Sequence, residues 1–407
     1  MKNYSCIHPS EQIVEFMKRV YDRGMTTTSG GNISILDDKG DMWISPSGID
    51  KGSLTPADIV CVKKNGEIVG RHKPSSEYPF HRAVFDCRRD VRAVLHAHPP
   101  ALVSLSVAGM MPKIDSCGAF ADVCRGVSFA AYEIPGSIEL GRNLAAEFAK
   151  GVFSTILENH GACVAGATLP EAFTRMEALD FCARTTINAK RLGKIAKAPQ
   201  IDDTVRVAGG APVRCPAEEA ALRENAAALT RRAYAQGLFT ASSGLFAIRS
   251  GKGFIVCDPA IDRAHAAPED LRRGASEIIE AVFAAHPEFN AIAIATPPSL
   301  MGFAVSDATF DPRVIPESYI MLREMPTLPA RATTAKIAKT LCPRTPAIIV
   351  RNRFAATAGK TALEAFDRLE VGEYSARAAI DAALFGGLRP IVGKAIDDIV
   401  EAFHLIP

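Results

Sequence analysis

The stretch Val94-Leu95-His96-Ala97-His98-Pro99-Pro100 sets two imidazoles one residue apart at the end of an apolar run. Side chains alternate faces along a β-strand, so His96 and His98 share a face and can grip one ion. Pro99 and Pro100 cannot continue a central ladder, which ends the strand and leaves the rings at its rim. A histidine pair alone is also an ordinary polar pair, so a metal site needs further donors. One candidate is His160 in Glu158-Asn159-His160-Gly161, which the flanking apolar runs predict to be a hairpin tip; a histidine there can equally be simply solvated. Another is Glu77, placed by the Ser75 or Ser76 cap in the first turn of a helix through Phe80, Val84 and Phe85. A carboxylate there either complements the helix dipole or serves as metal ligand or base. Three nitrogens, with or without a carboxylate, form a donor set of catalytic zinc.

The elements that must position these groups can be read in order. Ser10 is a fitting N-cap for a first helix whose apolar face is Ile13, Phe16, Met17 and Val20, and Gly24 ends it. Ile33 and Ile35, a turn at Asp38-Lys39-Gly40, and Met42 to Ser45 then predict a hairpin. Ser29-Gly30-Gly31-Asn32 enters this hairpin and Ser47-Gly48 leaves it. Small-residue loops with free N–H groups make anion-binding concavities, though the same glycines also serve plain tight turns. Ser75 and Ser76, with the open N–H groups of a helix start, make a third element of that type. A long amphipathic helix follows His160, from Leu169 to Leu192.

Composition excludes several classes of function. The 407 residues are 48% hydrophobic and 23% charged with a net charge of +2, an ordinary globular balance with room for two or three domains. No basic, aromatic-interleaved stripe suggests nucleic acid, and no apolar run approaches the roughly 20 residues of a membrane span. The opening MKNYSCIHPSEQ has no apolar core of signal type, so a cytoplasmic location is expected. Ten cysteines without a CxxC fit reduced thiols better than a disulfide framework.

Over residues 10 to 195 the chain resembles the metal-dependent class II aldolase/adducin family, through SGGNIS, SPSG, PSSE, HAHP and ENHG in that order. The resemblance implies zinc histidines at His96, His98 and His160, with Mn2+ or Co2+ as alternative ions. It makes Glu77 both the acidic metal ligand and the catalytic base, and places phosphate binding at Gly31, Asn32, Ser47, Gly48, Ser75 and Ser76. A tyrosine that donates a proton in the fuculose-phosphate aldolases of the family falls on Tyr132. It further implies an α/β fold whose central, mostly antiparallel sheet is flanked by helices in three layers, and a fourfold ring with active sites between neighbouring domains. The family's pentulose-phosphate 4-epimerase branch has aspartate where this chain has Glu77, which disfavours epimerisation.

Beyond a linker at 196–216 the first domain begins again. RRAYAQGLFTASSGLFAI at 231–248 tracks KRVYDRGMTTTSGGNISI at 18–35, and AIAIATPPSL at 291–300 tracks AVLHAHPPAL at 93–102. Ala162–Glu177 and Ala355–Glu370 share nine of sixteen residues, where chance gives about one or two. The repeat has lost the chemistry: His96 becomes Ile294, His98 becomes Thr296, His160 becomes Arg353, Asn32 becomes Leu245, and Ser47-Gly48 becomes Pro259-Ala260. Its spacing also shortens by 14 residues around PSSE, which leaves Glu277 as a candidate counterpart of Glu77. The expectation is two tandem α/β/α domains, 1–195 catalytic and 217–407 without metal ligands, in a homo-oligomer of at least two chains, a dimer forming a pseudo-fourfold ring. Three activities fit: a zinc-dependent aldolase splitting a phosphorylated ketose into dihydroxyacetone phosphate and an aldehyde, a sugar-phosphate dehydratase or 3-oxo sugar-acid phosphate decarboxylase, and a non-enzymatic adducin-like scaffold.

Overall fold

The computed structural model describes residues 4–196 and 217–405. They form two compact units, one running to Ile114 and again over Phe120–Ala183, the other made of Asp115–Ala119 and the residues from Arg184 onward. The expected linker at 196–216 lies, apart from Ala196, outside the described residues.

To Leu192 the chain forms α1 (Pro9–Asp22), β1 (Asn32–Leu36), β2 (Met42–Ile44), β3 (Val60–Val62), β4 (Ile68–Val69), α2 (Tyr78–Cys87) and β5 (Ala93–Ala97). It continues with α3 (Pro100–Val107), α4 (Gly118–Cys124), β6 (Ser128–Ala130), α5 (Ile138–Phe148), β7 (Ser154–Leu157), β8 (Gly161–Gly166) and α6 (Leu169–Leu192). The strands make one sheet in the order β4-β3-β2-β1-β5-β8-β7-β6, antiparallel except for β6 beside β7. On one face Met42, Ile44, Val60 and Val94 of the strands bury Phe80 and Val84 of α2 with Leu144 and Phe148 of α5. A further layer comes from α1, which packs on β1 and β2 and meets α6 through Phe16 and Phe173, their rings 5.2 Å apart.

The later elements are α7 (Ala217–Ala235), β9 (Leu245–Ser250), β10 (Gly253–Cys257), β11 (Leu271–Arg273), α8 (Glu277–Ala285), β12 (Ala291–Ala295) and α9 (Pro298–Val305). After them come α10 (Pro316–Leu322), β13 (Thr327–Leu328), α11 (Thr334–Thr340), β14 (Ala347–Val350), β15 (Phe354–Gly359), α12 (Ala362–Ala383) and α13 (Lys394–Ala402). Their sheet, β11-β10-β9-β12-β15-β14-β13, repeats the first order, among the described residues without an equivalent of β4, and keeps a parallel final pair. Both sheets are mixed and flanked by helices, as expected. The missing strand explains the shortened spacing, since fifteen residues separate β3 from α2 but only three separate β11 from α8.

Three local expectations shift. His8 rather than Ser10 caps α1, because Pro9 takes the first helical position and Ser10 N–H donates to His8 Nδ1 at 3.3 Å. Glu77 occupies the cap position of α2 instead of its first turn, and Ser75 Oγ accepts from Glu77 N–H at 3.3 Å. The compact boundary lies at Ala183–Arg184 inside the unbroken α6, not at 195. There Asn188 Nδ2 donates to Pro298 O at 3.1 Å and Ala196 N–H to Val305 O at 2.8 Å, so this stretch packs with the second unit.

Candidate metal centre

β5 ends where the proline pair requires, and Pro100 opens α3. His96 lies opposite Asn32 of β1 and Cys163 of β8, fully buried and edge-on to Phe80. Its Nδ1 is 2.9 Å from Ala162 O, and because a carbonyl only accepts, Nδ1 carries the proton and Nε2 is left with its lone pair. His98 Nε2 stands 2.9 Å from that atom. His160 joins them from the β7–β8 turn, where Asn159 takes φ +52° and His160 N–H donates to Leu157 O at 3.1 Å. Gly161 permits the approach, since a Cβ there would meet Ala97 O at 2.6 Å and His98 Cδ2 at 2.7 Å.

One nitrogen from each of His96, His98 and His160 falls within a 4.8 Å cluster. Among the described residues this is the one group of His, Cys, Asp or Glu donors that closes so tightly. Burial pushes His96 and His98 down to about 3, helped at His96 by His160 and at His98 by His96 and then His160. Burial also lowers His160, against the pull of Glu77. All three rings are therefore neutral near pH 7, the form that ligates metal.

Glu77 completes the arrangement. Its Oε2 is 3.4 Å from His96 Nε2, and its Oε1 is 3.6 Å from His160 Nε2. Oε2 accepts from Asn32 Nδ2 at 2.7 Å, whereas Oε1 is buried without a hydrogen-bond partner. A buried carboxylate oxygen left unpaired is costly. A cation fits here: three neutral imidazole nitrogens and one oxygen suit a divalent ion of zinc type, and it would satisfy Oε1 together with the facing lone pairs. Behind them sits His81, fully buried and missed in the sequence reading; it contacts Asn32 Oδ1 through Nε2 and Ser34 Oγ through Nδ1 at 2.7 Å. The available signal was a histidine four residues before Phe85, inside the apolar stripe of α2.

The expected anion loops come together in part. Ser47 N–H donates to Lys73 O at 3.0 Å and Ser75 N–H to Ser45 O at 3.2 Å, pairing the two serine loops with Ser47, Gly48 and Ser76 exposed. Gly31 is buried at φ +68° against His96 O. Asn32 differs from expectation, because both ends of its carboxamide are committed to Glu77 and His81. Tyr132 is 53% exposed; its backbone N–H donates to Glu158 Oε2 at 3.0 Å, two residues before His160, and its hydroxyl bonds to no described residue.

The second sheet keeps the register without the donors. Leu245 lies opposite Ile294 as Asn32 lies opposite His96, and Arg353 N–H donates to Val350 O at 3.1 Å as His160 does to Leu157 O. Asn352 has φ +58°, matching Asn159. Glu277 does not replace Glu77, for it is exposed in the first turn of α8, capped by Ser276. A buried cation persists in both halves: Lys51 Nζ donates to Pro46 O and Ile49 O, and Arg263 to Gly244 O and Pro259 O. Its survival where the histidines are lost marks it as a tether for the loop.

Residues 11–187 match the family described as Class II Aldolase and Adducin N-terminal domain. The chain is 33% identical over 193 residues to the 5-deoxy-D-ribulose 1-phosphate aldolase of Bacillus thuringiensis serovar kurstaki, covering 47% of this chain and 89% of that protein. It is 30% identical over 174 residues to the L-fuculose phosphate aldolase of Methanococcus maripaludis, covering 42% and 93%. With the 3-oxo-tetronate 4-phosphate decarboxylase of Pectobacterium atrosepticum it shares 31% identity over 177 residues, covering 42% and 81%. Each match takes in most of the relative and less than half of this chain. On these matches the chain belongs to the class II aldolase and adducin family, among its lyases.

Proposed function

We propose that this protein is a zinc-dependent aldolase that cleaves a phosphorylated ketose into dihydroxyacetone phosphate and an aldehyde. The observation that carries the reading is the meeting of His96, His98 and His160 with the unpaired Oε1 of Glu77. These four residues would hold the ion. Bound there, it supplies Lewis-acid stabilisation for the anion left when the carbon–carbon bond breaks, so no lysine nucleophile is needed. Glu77 takes a proton from the hydroxymethyl carbon of dihydroxyacetone phosphate in the condensation direction and returns it in cleavage. The paired loops with Ser47, Gly48, Ser75 and Ser76, beside Gly31, anchor the phosphate and so fix the reacting carbon near the base. Tyr132, exposed just beyond β6, is the candidate group that takes the proton from the hydroxyl that becomes the aldehyde oxygen in cleavage and donates it to that oxygen in condensation.

The ketose-phosphate aldolases among the relatives support this substrate class, and the decarboxylase relative supports a second reading, loss of carbon dioxide from a 3-oxo sugar-acid phosphate. Both reactions leave an electron pair on a carbon beside a carbonyl, which one site can stabilise. Two chains in a pseudo-fourfold ring, in the cytoplasm, complete the proposal. The test is a panel of ketose 1-phosphates and 3-oxo acid phosphates followed by NMR, beside elemental analysis. Dihydroxyacetone phosphate with an aldehyde is the expected product pair; carbon dioxide release alone selects the decarboxylase, and no reaction by zinc-loaded protein on either set removes both.

A further inference from the structure

Behind the four donors runs a polar chain with a fixed direction. An ionised carboxylate only accepts, so Asn32 turns Nδ2 toward Glu77 Oε2 at 2.7 Å and Oδ1 the other way. His81 Nε2 meets that Oδ1 and must therefore carry the proton. The neutral ring then has its lone pair on Nδ1, which accepts from Ser34 Oγ at 2.7 Å. We propose that His81 is a positioning residue for Glu77: by donating to Asn32 Oδ1 it fixes the carboxamide's orientation, and thereby which carboxylate oxygen is held and which faces His160. This rests on the reading of Glu77 as metal ligand and base.

Reversing the carboxamide would set Oδ1 against Oε2, two acceptors, and Nδ2 against the Nε2–H of His81, two donors. An asparagine without His81 would have no such preference on that side. The ring cannot turn aside, being fully buried and stacked on Phe80 with centroids 4.5 Å apart and planes at 18°. The second sheet supplies an internal comparison. Helix ends align Val84 with Val282, because Arg88 N–H donates to Val84 O as His286 N–H donates to Val282 O. That places Ile279 at the position of His81, while strand register places Ala247 at Ser34 and Leu245 at Asn32. All three polar members have become buried or half-buried apolar residues in the half that lost the histidines. The arginine of the β8–α6 corner and of its β15–α12 counterpart has not: Arg175, buried, and Arg368, half-buried, each donate to a strand carbonyl, Ala165 O and Ala358 O. The fold thus keeps its structural cation without the metal ligands but does not keep the chain from Ser34 to Glu77, as expected of groups that serve the chemistry.

The test uses the full-length protein. Long-range nitrogen-15 spectra of the imidazoles in metal-free wild type are expected to show His81 neutral with its proton on Nε2; a proton on Nδ1, or a charged ring, overturns the proposal whatever the variants do. His81→Phe keeps the stacked ring and removes the donor, and is expected to lower zinc affinity and kcat by about 10- to 100-fold while KM holds. His81→Gln, whose side-chain amide can restore an N–H at the place of Nε2, is expected to recover most of both. Wild-type zinc affinity in His81→Phe, or equal losses in the two folded variants, would refute the donor role. If wild type turns over no ketose phosphate, the aldolase reading fails by itself, and the spectra and zinc titrations still decide the role of His81.

Discussion

At His96 the lone pair on Nε2 exists because Ala162 O claims the proton on the other nitrogen. His96→Ala or His98→Ala removes one of three neutral donors, so zinc retention after dialysis and turnover should be lost together. Elemental analysis with an activity assay checks this, and stoichiometric zinc with full activity in either variant takes that residue out of the site. Glu77→Gln keeps the shape but no longer offers a base. It should abolish solvent deuterium exchange into dihydroxyacetone phosphate while binding of that molecule persists; undiminished exchange assigns the base elsewhere. His81 gives a pH dependence whose sign is fixed. Burial takes it down to about 3 from an ordinary 6.5, so the unfolded chain binds the proton more readily. Its contribution is complete above about pH 6.5 and is lost as pH falls toward 3, about 2 kcal/mol by pH 5. Melting curves of metal-free protein should therefore decline from pH 7 to 5, and less steeply in His81→Gln.

At the level of elements, the sequence carried strong signals where a residue has few conformational choices. Pro99 and Pro100 marked the end of β5 and Gly24 the end of α1, since both residue types restrict or relax the backbone in known ways. Caps were harder to read. Ser10 and Ser75 are good capping residues, yet Pro9 and Pro79 belong in a first helical turn and pull each helix to a different start. His81 was illegible because a helical pattern records only that a position is buried, and its partners Ser34 and Asn32 lie 47 and 49 residues away. The boundary inside α6 was invisible for a related reason, as one helix serves two packing environments without a break in composition. Gly31 is the element-level test. At φ +68° a side chain is strained, and its Cβ would lie 2.9 Å from His96 O and from Thr26 Oγ1. Gly31→Ala should cost roughly 1–3 kcal/mol, a fall of several degrees in Tm, and should weaken zinc binding by displacing the end of β5. An unchanged Tm would show that the loop yields freely.

For the whole molecule, two sheets of one topology and a single cluster of histidines among the described residues predict one zinc per chain. Two zincs per chain by elemental analysis would mean that the second half binds metal through residues not recognised as donors. Truncation after Ile195 should abolish activity, because Arg184 to Ile195 lose the α9 partner that holds Asn188; a fully active fragment would make the second half a passenger. Sedimentation should find at least two chains together, and a fully active monomer would exclude the proposed ring. Among the described residues the second sheet has no equivalent of β4, which limits any attempt to build the same centre there. Ile294→His, Thr296→His and Arg353→His would restore three rings on a retained register, but the three residues between β11 and α8 leave no length for a carboxylate-bearing loop. Such a graft should make a sponge for zinc with no appetite for sugar phosphates, and a working catalyst would require transplanting the whole β4 segment.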